Sequence, residues 1–214
     1  MKHYSPSHKA VMNSCYSKNT PVTVVVGPAG SGKTYISCTA AIRQLHKKEV
    51  SKIIITRPTK TVDEDTGYLP GTMNDKLSPF LKPIYDCFLE NINHNQLKKY
   101  IDTNMIEICP IGYMRGRTFH NSFIIADECQ NTSVNQMQML LTRIGEKSRM
   151  VITGDLNQSD LDINNNGLND IVKRCERHFE TSDECVINIL RLTDEDIIRS
   201  DAVKKIVELY NMKI

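Results

Sequence analysis

Short apolar runs, many of them rich in β-branched residues, recur along this chain between stretches whose apolar residues repeat every three or four positions. Runs of the first kind are typical of strands buried in a parallel sheet, and stretches of the second kind are typical of amphipathic helices. Strands are predicted at 22–26, 53–56, 105–109, 122–126, 150–153 and 185–189. The alternation predicts an α/β fold with an open, mostly parallel sheet.

Helices are predicted between these strands. They cover residues 5–16, the segment that follows residue 34 up to the basic end at 46–48, then 72–91, a stretch opened by Ser133, 168–179 and a stretch from near Asp194. Pro79 and Pro83 predict a kink or a break in the helix at 72–91, whose apolar face fits either the core or an interface. The Asn- and Gly-rich segment 162–169 is predicted to be a loop.

The first strand leads into an eight-residue motif with the chemistry of a phosphate site. The motif is Gly27-Pro28-Ala29-Gly30-Ser31-Gly32-Lys33-Thr34, a complete G-x-x-x-x-G-K-[ST] P-loop between a predicted strand and a predicted helix. Its glycines let backbone N–H groups turn toward phosphate oxygens, and the helix N-terminus adds its dipole. Lys33 is predicted to reach the β- and γ-phosphates, and the Thr34 hydroxyl to bind Mg²⁺. The motif predicts a nucleoside triphosphate site.

The strand at 122–126 delivers two adjacent carboxylates, Asp127 and Glu128, well downstream of the P-loop. A buried strand that ends in two acids is the second motif that P-loop nucleotide hydrolases need. Asp127 is predicted to hold Mg²⁺, usually through water, and Glu128 to polarise the water that attacks the nucleotide.

Three further positions lie near the predicted site. Arg57 follows the second strand and so is placed at the sheet edge where ligands bind in open α/β folds. Gln158 follows the strand at 150–153 and is predicted to sense the γ-phosphate, although an ordinary polar turn has the same sequence. His8, upstream of the first strand, is either a contact to the nucleotide base or a surface histidine.

The segment 113–119 carries two arginines, Arg115 and Arg117, on either side of a glycine. One interpretation is a solvated basic turn. The other is a contact to phosphate, either of a nucleic acid or of a nucleotide bound to a neighbouring subunit.

Composition constrains the domain number, partners and location of the protein only loosely. A length of 214 residues fits one α/β domain, and a net charge of +2 does not by itself indicate a nucleic-acid-binding protein. The seven cysteines form no C-x-x-C pair, which favours reduced thiols over a metal cluster. Neither a signal peptide nor an apolar run long enough to span a membrane is present. We therefore expect a cytoplasmic protein without a membrane segment.

On the basis of these residues, the chain resembles the PhoH family of P-loop ATPases from about Val22 to Tyr210. The resemblance rests on residues 27–34, 57–58, 67–71, 113–118, 127–131, 139–145, 153–155 with Gln158, and 196–199. Two positions depart from the family pattern: Cys129 stands where alanine is usual, and His8 is the nearest counterpart of an upstream glutamine, which puts base selectivity in doubt. The chain matches the short form of the family, without a nuclease domain.

The resemblance implies a three-layer α/β/α P-loop NTPase fold over residues 1–214 as a single domain, with a RecA-like core similar to the first motor domain of superfamily 1 helicases. It implies Mg²⁺-dependent ATP hydrolysis, coupling to single-stranded RNA as a helicase-like motor, and a homo-oligomeric ring such as a hexamer. In such a site the N–H groups of Gly30–Thr34 hold the phosphates, Lys33 neutralises their charge, and Glu128 and Gln158 act on water and γ-phosphate.

Hydrolases of this kind use an arginine finger, which is worth about 10³–10⁵ in rate where it has been measured. We expect a chain of this length to lack the second motor domain that supplies the finger in monomeric helicases. The finger must then come from Arg115, Arg117, Arg143 or Arg199, and we favour one that acts across a subunit boundary.

Two other functions stay open from the sequence. A nucleotide-dependent scaffold would bind ATP and barely turn it over, although intact Lys33, Asp127 and Glu128 argue against this. A nucleoside kinase is disfavoured because no lid-like segment rich in arginine is evident.

Overall fold

The computed structural model describes residues 4–58, 73–179 and 186–197, apart from the side chains of 73–80 and 179. Its strands are β1 Val22–Val26, β2 Lys52–Thr56, β3 Ile106–Ile108, β4 Ser122–Ala126, β5 Arg149–Gly154 and β6 Ile187–Arg191. They form one sheet in the order β3-β2-β4-β5-β1-β6, and every neighbouring pair is parallel. The predicted parallel sheet is therefore confirmed.

Helices connect these strands. They are α1 Pro6–Tyr16, α2 Lys33–His46, α3 Met73–Leu89, α4 His94–Asp102, α5 Val134–Leu141 and α6 Gly167–Phe179. Short 3₁₀ turns lie at Ile111–Met114, Cys129–Asn131, Leu156–Gln158 and Asp194–Asp196. Ser133 opens α5 with the predicted capping box, because its side chain accepts from the N–H of Gln136 while the Gln136 side chain accepts from the N–H of Ser133.

Two apolar cores cover the two faces of the sheet, since alternate residues of a strand point to opposite sides. On one face, β-strand residues such as Val25 and Ile55 pack with apolar residues of α1, α2, α3 and α4. On the other face, residues such as Val24 and Ile54 pack with α5 and α6. The result is the three-layer α/β/α arrangement.

The sheet order places the two predicted motifs near each other. β5 lies between β1, which leads into the P-loop, and β4, which ends in the acidic pair. Residues 27, 127 and 155 directly follow the carboxyl ends of these three strands, at the edge where ligands bind in open α/β sheets.

The helix α3 is continuous despite Pro79 and Pro83, so the predicted break is wrong, whereas the alternative of a kink stays a prediction. Its side chains Leu81, Ile84 and Phe88 are buried in the core, and this burial outweighs the backbone hydrogen bonds that the two prolines cannot donate. Of the two interpretations of its apolar face, the structure supports the core.

One additional helix and two element boundaries differ from prediction. The helix α4 was not predicted, because it has only nine residues and Leu97 is its one buried residue. The segment predicted as loop at 162–169 gives way to α6 already at Gly167, whose N–H is held by the Thr132 carbonyl. The edge strand β6 begins at Ile187 because it pairs there with Val22 of β1.

The C-terminal helix predicted from near Asp194 is only a single 3₁₀ turn within the described residues, since Ile197 is extended. The rest of that prediction lies outside the described residues, as do the motif at 67–71 and Arg199.

Within the described ranges, no helix has the length and apolar character to cross a bilayer. The six described cysteines are free thiols. The cytoplasmic location inferred from the sequence stays a prediction.

Candidate functional site

The P-loop curls between the end of β1 and the start of α2. The N–H of Gly27 donates to the Gly154 carbonyl at 3.2 Å, which fixes the start of the loop against β5. Gly30 and Gly32 have φ values of 81° and 84°, in the left-handed region that favours glycine. Gly32 is also the N-cap of α2, so the first N–H groups of that helix face the loop. The backbone therefore has the form of an anion-binding cradle.

Lys33 is bound to its own loop in this structure. Its Nζ donates to the carbonyl oxygens of Gly27 at 2.6 Å and Pro28 at 2.8 Å. Burial lowers the pKa of the Lys33 ammonium, against the opposing effect of nearby carboxylates on Asp155, Glu128 and Asp127. The Lys33 amine thus lies at the phosphate cradle. Its two acceptors are uncharged carbonyl oxygens, which an anion can replace.

Asp127 joins the acidic strand to the P-loop. Its Oδ1 accepts hydrogen bonds from the Thr34 hydroxyl at 2.8 Å and from the Thr153 hydroxyl at 2.6 Å. Burial raises the pKa of the Asp127 carboxyl, and the two hydroxyl donors oppose that rise. A buried carboxylate beside a threonine hydroxyl is a donor set of hard oxygens that suits Mg²⁺, so Thr34 and Asp127 are the residues that would hold it.

Sequence reasoning gave no role to Thr153. It is fully buried at the end of β5, and its contact with Asp127 exists because β5 lies beside β4 in the sheet. The sequence signal that could have indicated this contact is that polar Thr153 follows three apolar residues of β5.

Glu128 directly follows Asp127 and has a left-handed backbone with φ 58° and ψ 39°, which is uncommon for a residue with a side chain. Its Oε2 accepts from the Gln130 side-chain amide at 2.6 Å. Its Oε1 lies 3.6 Å from Nη2 of Arg57, which follows β2 as predicted. Both carboxylate oxygens are therefore engaged in this state.

Gln130 ties the ends of β4 and β5 together. While its amide nitrogen donates to Glu128, its Oε1 accepts from the N–H of Asp155 at 3.2 Å. A Cβ at Gly154 would lie 2.8 Å from that same Oε1, so glycine is needed for this close packing. A shift at the end of β5 would consequently be transmitted to Glu128.

A cavity of about 300 Å³ opens at this edge of the sheet. Its walls are formed by Ala29, Gly30, Gly32, Lys33, Thr34, Tyr35, Cys87, Glu90 and Glu128. The P-loop backbone, the lysine and Glu128 thus face one common space.

Gln158 lies in the 3₁₀ turn that follows β5, and it is exposed. The strand before it borders both β1 and β4, as the predicted role requires. A contact between Gln158 and a γ-phosphate stays a prediction.

His8 is not a surface histidine, because only 1% of it is exposed. Its Nε2 lies 2.8 Å from the carbonyl oxygen of Ser31 in the P-loop. The alternative interpretation, contact with a base, stays a prediction, and the contact that the ring makes here is to the P-loop backbone.

The candidate arginine fingers occupy different surroundings. Arg117 pairs with Glu107 at 2.6 Å and lies over the Phe119 ring at 4.6 Å. Arg143 donates to the carbonyls of Met139 and Arg117. Arg115 is exposed and forms no hydrogen bond or ion pair with another described residue. None of these three lines the cavity, and Arg199 lies outside the described residues.

This sheet order, with a P-loop after β1 and an acidic pair after β4, is that of the RecA-like P-loop NTPase fold. The chain belongs to the PhoH family, since the family model described as "PhoH-like protein" matches residues 2–211. The resemblance found from the motifs is confirmed.

Two relatives indicate how similar the family members are. A "PhoH-like protein" of Mycobacterium tuberculosis (strain ATCC 25618 / H37Rv) is 40% identical over 185 residues, which are 86% of this chain and 51% of that protein. A "PhoH-like protein" of Bacillus subtilis (strain 168) is 37% identical over 194 residues, 91% of this chain and 59% of the relative. This chain thus spans little more than half the length of the relatives it matches.

Among solved structures, Pif1 helicase from Candida albicans has a similar fold. The TM-score is 0.50 with 15% sequence identity, and the match covers 99% of this chain and 44% of the helicase. At this identity the similarity concerns the fold alone.

Proposed function

We propose that this chain binds ATP with Mg²⁺ in the cavity at the P-loop and hydrolyses it to ADP and phosphate. The observation that carries the proposal is the hydrogen bond between the Thr34 hydroxyl and the Asp127 carboxylate. It joins the two motifs at one point, with Glu128 on the wall of the same cavity. Nucleotide hydrolysis by P-loop proteins needs this combination of groups.

Each group has a defined part in the proposed reaction. N–H groups of Gly30–Thr34 bind phosphate oxygens, and Lys33 leaves its two carbonyl acceptors to neutralise charge on the transferred group. Thr34 and Asp127 would hold Mg²⁺, which when bound neutralises charge on the β- and γ-phosphate oxygens. Glu128 orients a water and takes its proton as the water oxygen bonds to the γ-phosphorus and ADP leaves. Gln158 is the proposed contact to the γ-phosphate.

A nucleotide-dependent scaffold with little turnover is the second candidate. The observation in its favour is that Lys33 is bound to its own loop and that Glu128 is held by Gln130 and near Arg57. An ATPase has the same arrangement in its resting state, provided that nucleotide releases both side chains. Turnover therefore separates the two functions.

Coupling to single-stranded RNA is the finer part of the proposal. Tyr113 is 61% exposed beside the exposed Arg115, and the pair combines a ring on which bases can stack with a cation for phosphate. Lys98 and Lys99 are further exposed cations. These residues support RNA binding by their chemistry.

The test of RNA coupling measures phosphate release with and without single-stranded RNA over a range of salt concentrations. We expect RNA to increase the rate several-fold, with the increase falling as salt rises because binding to phosphates releases counterions. A Tyr113→Ala variant should keep the basal rate and lose part of the RNA affinity, because it removes the proposed stacking ring and leaves Arg115 in place. Equal rates with and without RNA at low salt would contradict the coupling and point to a protein partner.

The position of Arg115 and Arg117 in the sheet supports the proposal of an oligomeric ring. Both follow β3, which stands four places from β1 in the sheet, or about 19 Å at a strand spacing of about 4.8 Å. The Arg117 pair with Glu107 keeps this segment at β3. We therefore propose that Arg115 acts as an arginine finger at the site of a neighbouring subunit, in a ring such as a hexamer.

Mixing of two inactive variants tests this arrangement. Arg115→Ala is expected to lose at least about 10²-fold in turnover, at the low end of measured arginine fingers, and to regain activity when mixed with Lys33→Ala. The recovery occurs because a shared site then combines an intact Lys33 with an intact Arg115. Arg174→Ala, which removes an exposed cation from α6, serves as the control that keeps activity. Absence of recovery at every mixing ratio, for Arg115→Ala and for Arg117→Ala, would remove the support for a finger in trans.

A further inference from the structure

His8 uses both of its ring nitrogens inside the protein. It is the third residue of α1, and its Nδ1 accepts from the N–H of the N-cap residue Ser5 at 3.1 Å. An imidazole nitrogen that accepts a hydrogen bond carries no hydrogen, so in the neutral ring the hydrogen lies on Nε2. That Nε2–H donates to the Ser31 carbonyl at 2.8 Å.

Further contacts hold Ser5, the residue whose N–H donates to His8, and the P-loop itself in place. The Ser5 hydroxyl donates to the Asp196 carboxylate at 2.5 Å, and Asp196 also accepts from the Thr193 N–H at 2.9 Å. Leu192, just before, packs so closely on the P-loop that a Cβ at Gly27 would lie 2.8 Å from its Cβ. The P-loop is thus braced by α1 and by the segment that follows β6.

The contact between His8 and the Ser31 carbonyl determines the direction of the Gly32 N–H, which faces the phosphate cradle. In a trans peptide unit the carbonyl of one residue and the N–H of the next point in opposite directions. When His8 fixes the Ser31 carbonyl on its own side, the N–H of Gly32 is fixed pointing away from His8. Gly32 lies on the wall of the cavity and is the N-cap of α2.

We propose that His8 is a positioning residue of the P-loop, which orients the Ser31–Gly32 peptide for phosphate binding and does not read the nucleotide base. The inference rests on the proposed binding of a nucleoside triphosphate in the cavity. It does not require turnover, so binding measurements separate it from the question of hydrolysis.

The test compares three side chains at position 8 by calorimetric titration with non-hydrolysable ATP and GTP analogues in the presence of Mg²⁺. His8→Asn keeps an acceptor for the Ser5 N–H but is too short to reach Ser31, so the cap and the fold are retained. His8→Gln can make both contacts, because glutamine at this position completes an ordinary capping box and its amide also donates. His120→Ala is the matched control, since His120 also accepts a backbone N–H, that of Glu146, away from the P-loop.

We expect His8→Asn to weaken both analogues by the same factor, about 3- to 10-fold, which is the worth of one hydrogen bond. His8→Gln and His120→Ala should stay within about twofold of the wild type by the same measure. A loss confined to the ATP analogue would overturn the proposal in favour of base recognition, and unchanged affinities for His8→Asn would overturn it outright. A wild type that binds the analogues but releases no phosphate would refute hydrolysis and leave the role of His8 standing.

Discussion

Replacing Lys33 with alanine is expected to weaken ATP binding about 10²–10⁴-fold and to bring phosphate release down to the background rate. A hydrogen bond between a charged donor and a phosphate contributes about 1.5–3 kcal/mol, and Lys33 is proposed to contact two phosphates. Those contacts together correspond to that range of affinity. Titration with a non-hydrolysable ATP analogue measures the loss directly.

Loss of the fold would not explain this result. Burial lowers the pKa of the Lys33 ammonium, which means that the folded protein disfavours its charge and that removing the charge relieves a cost. The nucleotide-free variant should therefore melt within a few degrees of the wild type. Arg43→Ala, which removes an exposed cation from the same helix α2, is the matched control and should bind normally. Binding by Lys33→Ala within tenfold of the wild type would contradict the proposed role.

Replacing Glu128 with glutamine is expected to slow hydrolysis about 10²–10⁴-fold, the usual contribution of a positioned general base. Glutamine has the same length and can still accept from Gln130, but it cannot take a proton from water. ATP affinity should stay within about threefold of the wild type, because the proposed phosphate contacts come from the P-loop and Lys33. A single-turnover experiment with labelled ATP distinguishes bound from cleaved nucleotide.

Glu90 offers a matched control for this variant. It is another carboxylate on the wall of the same cavity, so Glu90→Gln changes local charge by the same amount without touching the acidic strand. We expect Glu90→Gln to hydrolyse ATP at nearly the wild-type rate. Wild-type hydrolysis by Glu128→Gln would show that another residue activates the water.

The elements that could be predicted are those that local sequence determines. The run at Val22–Val26 is β-branched throughout and apolar apart from Thr23, as is typical of a strand buried on both faces. The P-loop glycines at positions 30 and 32 stand where the backbone needs positive φ, so the motif itself encodes the turn. In the same way, the strand that ends at Ala126 places Asp127 and Glu128 at the working edge.

The contacts that could not be predicted depend on which elements lie side by side. Thr153 reaches Asp127 because β5 inserts between β1 and β4, and the sequence does not state the strand order. His8 looks like an isolated polar residue in the sequence, and only the packing of α1 behind the P-loop buries it. Arg117 looks like a free cation until Glu107 of β3 is placed beside it.

Where the predicted helices and strands were wrong, the local sequence pattern was weak or contradictory. Two prolines in α3 favour a break, whereas the buried faces of Leu81, Ile84 and Phe88 hold the helix in one piece. The helix α4 has only nine residues and buries only Leu97, so its sequence contributes little core-facing pattern. The edge strand β6 takes its register from β1, which leaves its own ends poorly determined by its sequence.

Steady-state phosphate release by the purified wild-type protein, at saturating Mg²⁺ and ATP and with Glu128→Gln as the blank, is the decisive test of ATP hydrolysis. If Glu128 activates the water, release by the wild type should exceed the blank by about 10²-fold or more. Release no higher than the blank, from a protein shown by titration to bind ATP, would contradict hydrolysis and favour the scaffold.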